Sequence, residues 1–199
     1  MKSDFLRAAA VGEMIALLTL PTLKNINFFE PVFVIIWLIF APSAALAGFY
    51  LIYLMSAWWP VLLELGKYGL IGCFNFFLDA GIFNFFILIT GIAKGWLVDI
   101  FIVVAFAITI TQSFFWNKFW IFDSRDSSEF GREYIKFFSL TITTSFLGLF
   151  FMHLIINTIG APQGFDLKLW ANMALLVLIP ISALGNFLSY KFFVFKKSI

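Results

Sequence analysis

Charged residues are scarce in this sequence, and cysteine and histidine are nearly absent. Only 12% of the 199 residues are charged, and the chain holds one cysteine, Cys73, and one histidine, His153. A single cysteine excludes a disulfide framework and a cysteine-based metal site. A formal net charge of +2 gives no strongly basic surface for nucleic acid. Since soluble domains carry about 25% charged residues, a soluble domain of this length is excluded as well.

Apolar residues make up 62% of the chain and are arranged in long runs. Runs of about 20 apolar residues match a hydrocarbon core roughly 30 Å thick. A chain in that core must satisfy its own backbone hydrogen bonds, which helices do. The sequence therefore predicts an all-α integral membrane protein with about six helical segments. These segments are 5–23, 31–59, 68–91, 97–120, 134–159 and 170–194.

The positive charges are distributed unequally between the two ends of the predicted spans. Ten Lys and Arg residues fall on one side and three on the other. Because Lys and Arg concentrate in cytoplasmic loops, we expect a multi-pass protein of the cytoplasmic membrane with both termini in the cytoplasm. Segment 5–23 is short and carries Arg7 and Glu13, which leaves open an interfacial position for it. In that case the N-terminus would lie outside.

Two parts of the chain resemble each other. Residues 67–91 align with residues 136–160 at an offset of 69, and "SFFWNKFWIF" aligns with "NFLSYKFFVF" at an offset of 73. We therefore predict an N-terminal hairpin extension, 1–63, followed by a four-span domain, 64–199, built from hairpin repeats 64–123 and 133–196. Hairpins that enter the membrane in the same direction imply a pseudo-two-fold axis along the membrane normal. Chance similarity between phenylalanine-rich helices is the alternative.

Four lysines lie at the predicted cytoplasmic ends of these spans. Lys67 and Lys136 begin spans, whereas Lys118 and Lys191 end them among aromatic residues. Such lysines can be simple interfacial anchors, or they can bind the phosphate of an anionic lipid headgroup. The predicted headgroup site consists of Lys67, Lys118, Lys136, Lys191, Asn117, Asn186 and Trp120.

Polar residues also occur inside the predicted spans. Thr109, Ser113 and Asn117 are spaced to share one helix face, and the repeat places Ser182 and Asn186 in equivalent positions. They can join helices or line a polar path suited to sugar hydroxyls. The predicted path consists of Asn75, Asp79, Gln112, Ser113, His153 and Ser182.

Asp79 is the most unusual of these residues. It lies twelve residues after Lys67, which is about 18 Å along a helix and near the centre of a bilayer. A carboxylate there costs about 2.5–3.5 kcal/mol on insertion scales, so it needs a partner, water or a proton. Together with Asn75, Asp79 can lock two helices or belong to a substrate or proton path. His153 can have a structural or a catalytic role, and a structural role is the commoner for a lone buried histidine.

Three segments resemble the GtrA-like family of small multi-span membrane proteins. They are "KYGLIGCFNFFLD" (67–79), "FFWNKFWIF" (114–122) and "NFLSYKFFVF" (186–195). The resemblance implies a flippase that moves polyprenyl-phosphate-linked sugars for glycosylation of cell-surface polysaccharide. The family usually has Arg where Lys118 and Lys191 stand, and often Trp in place of Phe193. The matching residues are Lys67, Gly72, Asn75, Asp79, Asn117, Lys118, Trp120, Asn186, Lys191 and Phe195.

Flipping of a lipid-linked sugar is therefore the leading functional hypothesis. No nucleophile–base pair, metal-ligand cluster or phosphate-binding loop is recognisable in the sequence, so we expect no enzyme activity, no metal and no cofactor. The expected partners are the sugar lipid, anionic membrane lipids and a membrane glycosyltransferase, and a homodimer is compatible with so thin a bundle. The alternatives are a non-transporting lipid-binding scaffold for a glycosyltransferase and a proton-coupled small-molecule exporter.

Overall fold

The computed structural model describes residues 2–124, 129–164 and 180–195. Within these ranges the chain is helical and contains no strand, which confirms the all-α prediction. The described ranges contain six α-helices and three π-helical turns, π1 to π3, that extend helices. In chain order they are α1 (Lys2–Asn25), α2 (Pro31–Ser56), α3 (Val61–Thr90), α4 (Trp96–Trp116), π1 (Asn117–Ile121), α5 (Phe130–His153), π2 (Leu154–Ile159), α6 (180–189) and π3 (Tyr190–Val194).

Four helices among the described residues are long and apolar enough to cross a membrane. They are α1, α2, α3 and α4 together with π1. Helix α1 thus satisfies the length and composition of a span, although its sequence also allowed an interfacial position. Helix α5 is not in this set. That α5 spans the bilayer stays a prediction.

The helix boundaries follow local backbone chemistry. Pro31 begins α2, where its missing N–H needs no partner. Gly91 ends α3 in the left-handed region at φ 69°, and its N–H donates to the carbonyl of Ile87 at 2.8 Å. Glycine adopts this conformation without the steric cost that a Cβ would add. The chain can therefore leave α3 and begin α4 within a few residues.

Residues 1–123 form one compact unit in which α3 is the central helix. Helix α3 packs against α1, α2 and α4, and α1 also packs against α2. Small residues allow the closest approaches: a Cβ on Gly12 would lie 2.5 Å from Cα of Pro42, and one on Gly81 would lie 2.6 Å from the carbonyl oxygen of Leu18. Such close backbone contact is how helices associate where apolar lipid offers no hydrophobic driving force.

Residues 124–199 form a second compact unit. Helix α5 packs against π3, where the rings of Phe137 and Tyr190 lie 4.3 Å apart and the hydroxyls of Thr141 and Tyr190 lie 2.6 Å apart. Residues 170–179, the start of the last predicted span, lie outside the described residues. The predicted domain boundary and the repeats stay predictions.

We predict that Gly12→Ala destabilises the first unit, because the added methyl group would force the backbones of α1 and α2 apart. Overpacking of this kind costs about 1–3 kcal/mol. Thermal unfolding in detergent measures the change. Gly72→Ala is the matched control, since a Cβ there meets no described atom within 4 Å. Equal melting temperatures for the two variants would contradict the close α1–α2 contact.

Candidate functional site

Charged and aromatic residues from three elements meet at one end of the first unit. Lys67 Nζ lies 3.2 Å from Asp4 Oδ1, and Trp120 Nε1 donates to the same oxygen at 2.7 Å. Arg7 Nη1 is 3.8 Å from this oxygen. We call Asp4, Arg7, Lys67 and Trp120 the ionic cluster. It joins α1, α3 and π1.

The π-helical turn positions Trp120 in this cluster. The N–H of Phe122 reaches the carbonyl of Asn117 at 2.9 Å, a five-residue hydrogen bond that widens the end of α4. Trp120 is buried there, with Lys67 Nζ 5.7 Å from the ring centroid and 3.4 Å from the Trp120 carbonyl oxygen. The ammonium group of Lys67 is therefore held both by the Asp4 carboxylate and by cation–π attraction to the Trp120 ring. π-Helical turns are frequent at functional sites.

A network of side-chain amides and a hydroxyl connects α3 to α4. Asn75 Nδ2 donates to Ser113 Oγ at 2.9 Å, and Gln112 Nε2 donates to Asn75 Oδ1. Asn117 Nδ2 donates to the carbonyl oxygen of Ser113 at 2.8 Å. We call Asn75, Gln112, Ser113 and Asn117 the polar ladder. All four were predicted from the sequence as functional residues, and the structure brings them together.

Several oxygen atoms within or beside the polar ladder have no hydrogen-bond donor among the described residues. They are Asp79 Oδ1, Thr109 Oγ1, Gln112 Oε1 and Asn117 Oδ1. A buried acceptor without a donor typically costs about 1–3 kcal/mol. Asp79 follows Asn75 by one helical turn, so its carboxyl group continues the polar surface of α3 away from the ionic cluster. They are suited to accept hydrogen bonds from the hydroxyls of a ligand.

The lysines of the predicted headgroup site have different environments. The Lys67 side chain is 12% exposed, and Lys118 is only 2% exposed, with Nζ 5.9 Å from the ring centroid of Phe119. Lys136 in the second unit is exposed, and Lys191 Nζ lies 5.7 Å from the Phe187 ring centroid. Lys118 thus lies deeper in the protein than its place at a helix end suggested. That these lysines bind phosphate stays a prediction.

The second unit contains the remaining predicted site residues. His153 is the last residue of α5 and is exposed, whereas Ser182 and Asn186 are half-buried on α6. Asn186 Oδ1 has no hydrogen-bond donor among the described residues. No group of three or more metal-ligating side chains occurs in the described part of the chain.

Asp4 is the one residue of the ionic cluster that has no signal in the sequence. The helix dipole favours an acidic residue in the first turn of a helix, so Asp4 at this position does not indicate a functional site. Arg7 was identified in the sequence as a charge of the short segment 5–23. The separation of 63 positions between Asp4 and Lys67 means that only the packing of α1 on α3 could indicate the pair.

We predict that Asp4 and Lys67 are energetically coupled. A double-mutant cycle with Asp4→Asn and Lys67→Gln should give a coupling energy in unfolding of about 1 kcal/mol or more, as for side chains that share one polar network. The control cycle uses Glu129 and Arg132, an exposed pair at 3.1 Å, where we expect less than about 0.5 kcal/mol. A coupling energy for the first pair no larger than the control would show that the ion pair contributes nothing to the unit.

The family of the protein follows from its sequence match. A family model described as "GtrA/DPMS, transmembrane domain" matches residues 67–195, about two thirds of the chain, which covers the ionic cluster from Lys67 onward and the whole polar ladder. No curated protein and no solved structure matches. The resemblance inferred from the three segments is confirmed, and the chain belongs to the GtrA/DPMS transmembrane domain family.

Proposed function

We propose that this protein moves a polyprenyl-phosphate-linked sugar across the cytoplasmic membrane, for glycosylation of cell-surface polysaccharide, without catalysing a reaction. Family membership favours a role with such lipids. The observation that carries the proposal is the polar ladder, with its adjacent oxygen atoms that have no donor among the described residues. A row of unmet acceptors inside membrane-type helices is costly unless a ligand uses it.

The sugar is the part of the substrate that a bilayer opposes. Each hydroxyl that enters an apolar medium without a partner costs several kcal/mol on water-to-hydrocarbon scales. Gln112 Oε1 and Asn117 Oδ1 offer acceptors to replace water, and Asp79 Oδ1 extends the set. The isoprenoid chain can stay in lipid throughout. A substrate with a polar sugar and an apolar chain suits a protein with a narrow polar face and little other polar surface.

The phosphate requires cations at the entry side. Lys67 lies at the end of α3 from which the ladder continues, and Lys118 precedes Phe119 in π1. Residues Asn117–Ile121 and Tyr190–Val194 both form π-helical turns, and they are 73 positions apart, which is the offset of the proposed repeat. This common local structure supports two related hairpins, each with a lysine for phosphate, and Lys136 would be the counterpart of Lys67. The charge imbalance favours the cytoplasm as the entry side.

A second candidate function rests on Asp79. Its Oδ1 atom is buried without a hydrogen-bond donor among the described residues, as expected for a carboxyl group that exchanges a proton. A proton-coupled small-molecule exporter would use this group as its carrier. In that case Asp79→Asn would abolish transport driven by a proton gradient. A sugar lipid flippase should still move substrate in the absence of any gradient.

Transbilayer movement in proteoliposomes that contain only this protein tests the proposal. We predict movement of polyprenyl-phosphoglucose above the rate in empty liposomes. Gln112→Leu and Asn75→Leu should lower the rate about tenfold each, as expected for the loss of about one hydrogen bond in the rate-limiting barrier. Lys118→Ala combined with Lys191→Ala should also lower it. Thr111→Val is the control, since the Thr111 hydroxyl bonds to the Ala107 carbonyl on its own helix.

One result would contradict the flippase, and another would contradict its phosphate site. Tight binding without movement would favour a scaffold that presents the lipid to a membrane glycosyltransferase, and co-purification with such an enzyme would support that role. Full movement by the double lysine variant would exclude Lys118 and Lys191 as phosphate ligands. Chemical cross-linking in the same liposomes would show whether the active form is a homodimer, and added anionic lipid would show whether it competes.

A further inference from the structure

Asp4 Oδ1 is surrounded by a set of donors that suits an anionic ligand. Trp120 Nε1 at 2.7 Å, Lys67 Nζ at 3.2 Å and Arg7 Nη1 at 3.8 Å converge on this single oxygen atom. Guanidinium, ammonium and N–H groups bind phosphate oxygens as well as carboxylates. The Asp4 side chain is 21% exposed, so it can leave this position by rotation without unfolding α1. The donors are therefore available to a second anion.

Two clefts open beside this cluster, and Phe49 lines both. A cleft of about 230 Å³ is lined by Asp4, Phe5, Phe49, Tyr53 and Leu63. A cleft of about 290 Å³ lies between α2 and α3 and is almost wholly apolar. Its small residues include Gly48 on α2 and Gly66 and Gly69 on α3. The Phe49 ring lies 6.1 Å from Trp120, so the apolar cleft begins next to the ionic cluster.

A phosphate ester with a long apolar chain matches these features, because its anionic group and its apolar chain are adjacent, as the donors and the apolar cleft are. Its anionic group would take the place of the Asp4 carboxylate, and its first isoprene units would extend into the cleft between α2 and α3. Resting on the proposed function, we infer that Asp4 is an internal substitute for the substrate phosphate, which displaces it when a polyprenyl phosphodiester binds. Helices α1 and α2, which precede the family match at 67–195, then supply half of the binding site.

The balance of charge in the ionic cluster explains why such a substitute is useful. Removing one partner of a mostly buried ion pair leaves an uncompensated charge, which is strongly unfavourable. Asp4 provides one negative charge to the mostly buried Lys67 while the site holds no substrate. A sugar linked through a phosphodiester also carries one negative charge, so the exchange leaves the net charge of the cluster unchanged. A diphosphate-linked sugar would add further negative charge, and the site should bind it less well.

Binding of polyprenyl-phosphoglucose to the full-length protein in phosphatidylcholine nanodiscs tests this inference. Asp4→Asn retains an oxygen that accepts the Trp120 hydrogen bond but removes the competing charge. If Asp4 occupies the site nine-tenths of the time, its removal should tighten binding about tenfold. Lys67→Gln should weaken binding and cancel the gain from Asp4→Asn. Asp99→Asn is the control. It removes an equal charge from the first turn of α4, at the opposite end of that helix from Trp120, and should leave the affinity unchanged.

The outcomes separate this inference from the proposed function. Tighter binding by Asp4→Asn without transbilayer movement would support the substitute and contradict the flippase. Wild-type binding that Asp4→Asn leaves unchanged or weakens would overturn the substitute alone. No binding by either protein would overturn both. An equal gain in the Asp99→Asn control would show a general charge effect and would also overturn the substitute.

The apolar cleft has its own test. A Cβ on Gly48 meets no described atom within 4 Å, so Gly48→Leu places a side chain into the cleft without forcing α2 and α3 apart. We expect weaker binding of polyprenyl-phosphoglucose by this variant. Ala47→Leu, the neighbouring exposed position, should bind as the wild type does. Equal affinity of both variants, or equal competition by phosphatidylglycerol, would overturn the assignment of the cleft to an isoprenoid chain.

Discussion

The ion pair between Lys67 and Asp4, with Trp120 as a second donor, is the interaction on which the first unit depends most. It fixes the beginnings of α1 and α3 and the end of α4 at one place. Surroundings this apolar make an unpaired ammonium or carboxylate expensive, so each partner requires the other. The close contact of Gly12 with Pro42 then sets how α2 can lie against α1. Shape and charge thus specify the same helix arrangement.

The polar ladder contains polar groups with partners next to polar groups without donors among the described residues. Asn75 is satisfied through both Ser113 and Gln112, which joins α3 to α4. Next to it, Asp79 and Asn117 retain oxygens that no described donor reaches. Stability alone would favour apolar side chains at such positions, because an unmet buried acceptor destabilises a fold. Their presence is most simply explained by a ligand that carries hydroxyl groups, and this connects the helix packing to the proposed transport.

Much of the fold could be predicted from the sequence, because hydropathy alone locates long apolar helices. The start of α3 at Val61 was missed by several residues, since Pro60 and Glu64 have the composition of a loop. The shared helix face of Ser113 and Asn117 was predictable from their spacing, but their contact with Asn75 depends on how α4 is rotated against α3. The π-helical turns and the partnership of Asp4 with Lys67 depend on tertiary packing, which periodicity does not encode.

In the site that we propose, the lipid phosphate and the start of its isoprenoid chain bind between α1, α2 and α3. The most direct measurement is photo-cross-linking with a polyprenyl-phosphoglucose that carries a diazirine on the isoprene unit next to the phosphate. Mass spectrometry of the labelled protein would then identify the modified residues. We predict labels within 44–53 and 65–70, which contain most of the residues that line the two clefts. Labels confined to the exposed side of α4, around Val103 and Phe106, would contradict this site.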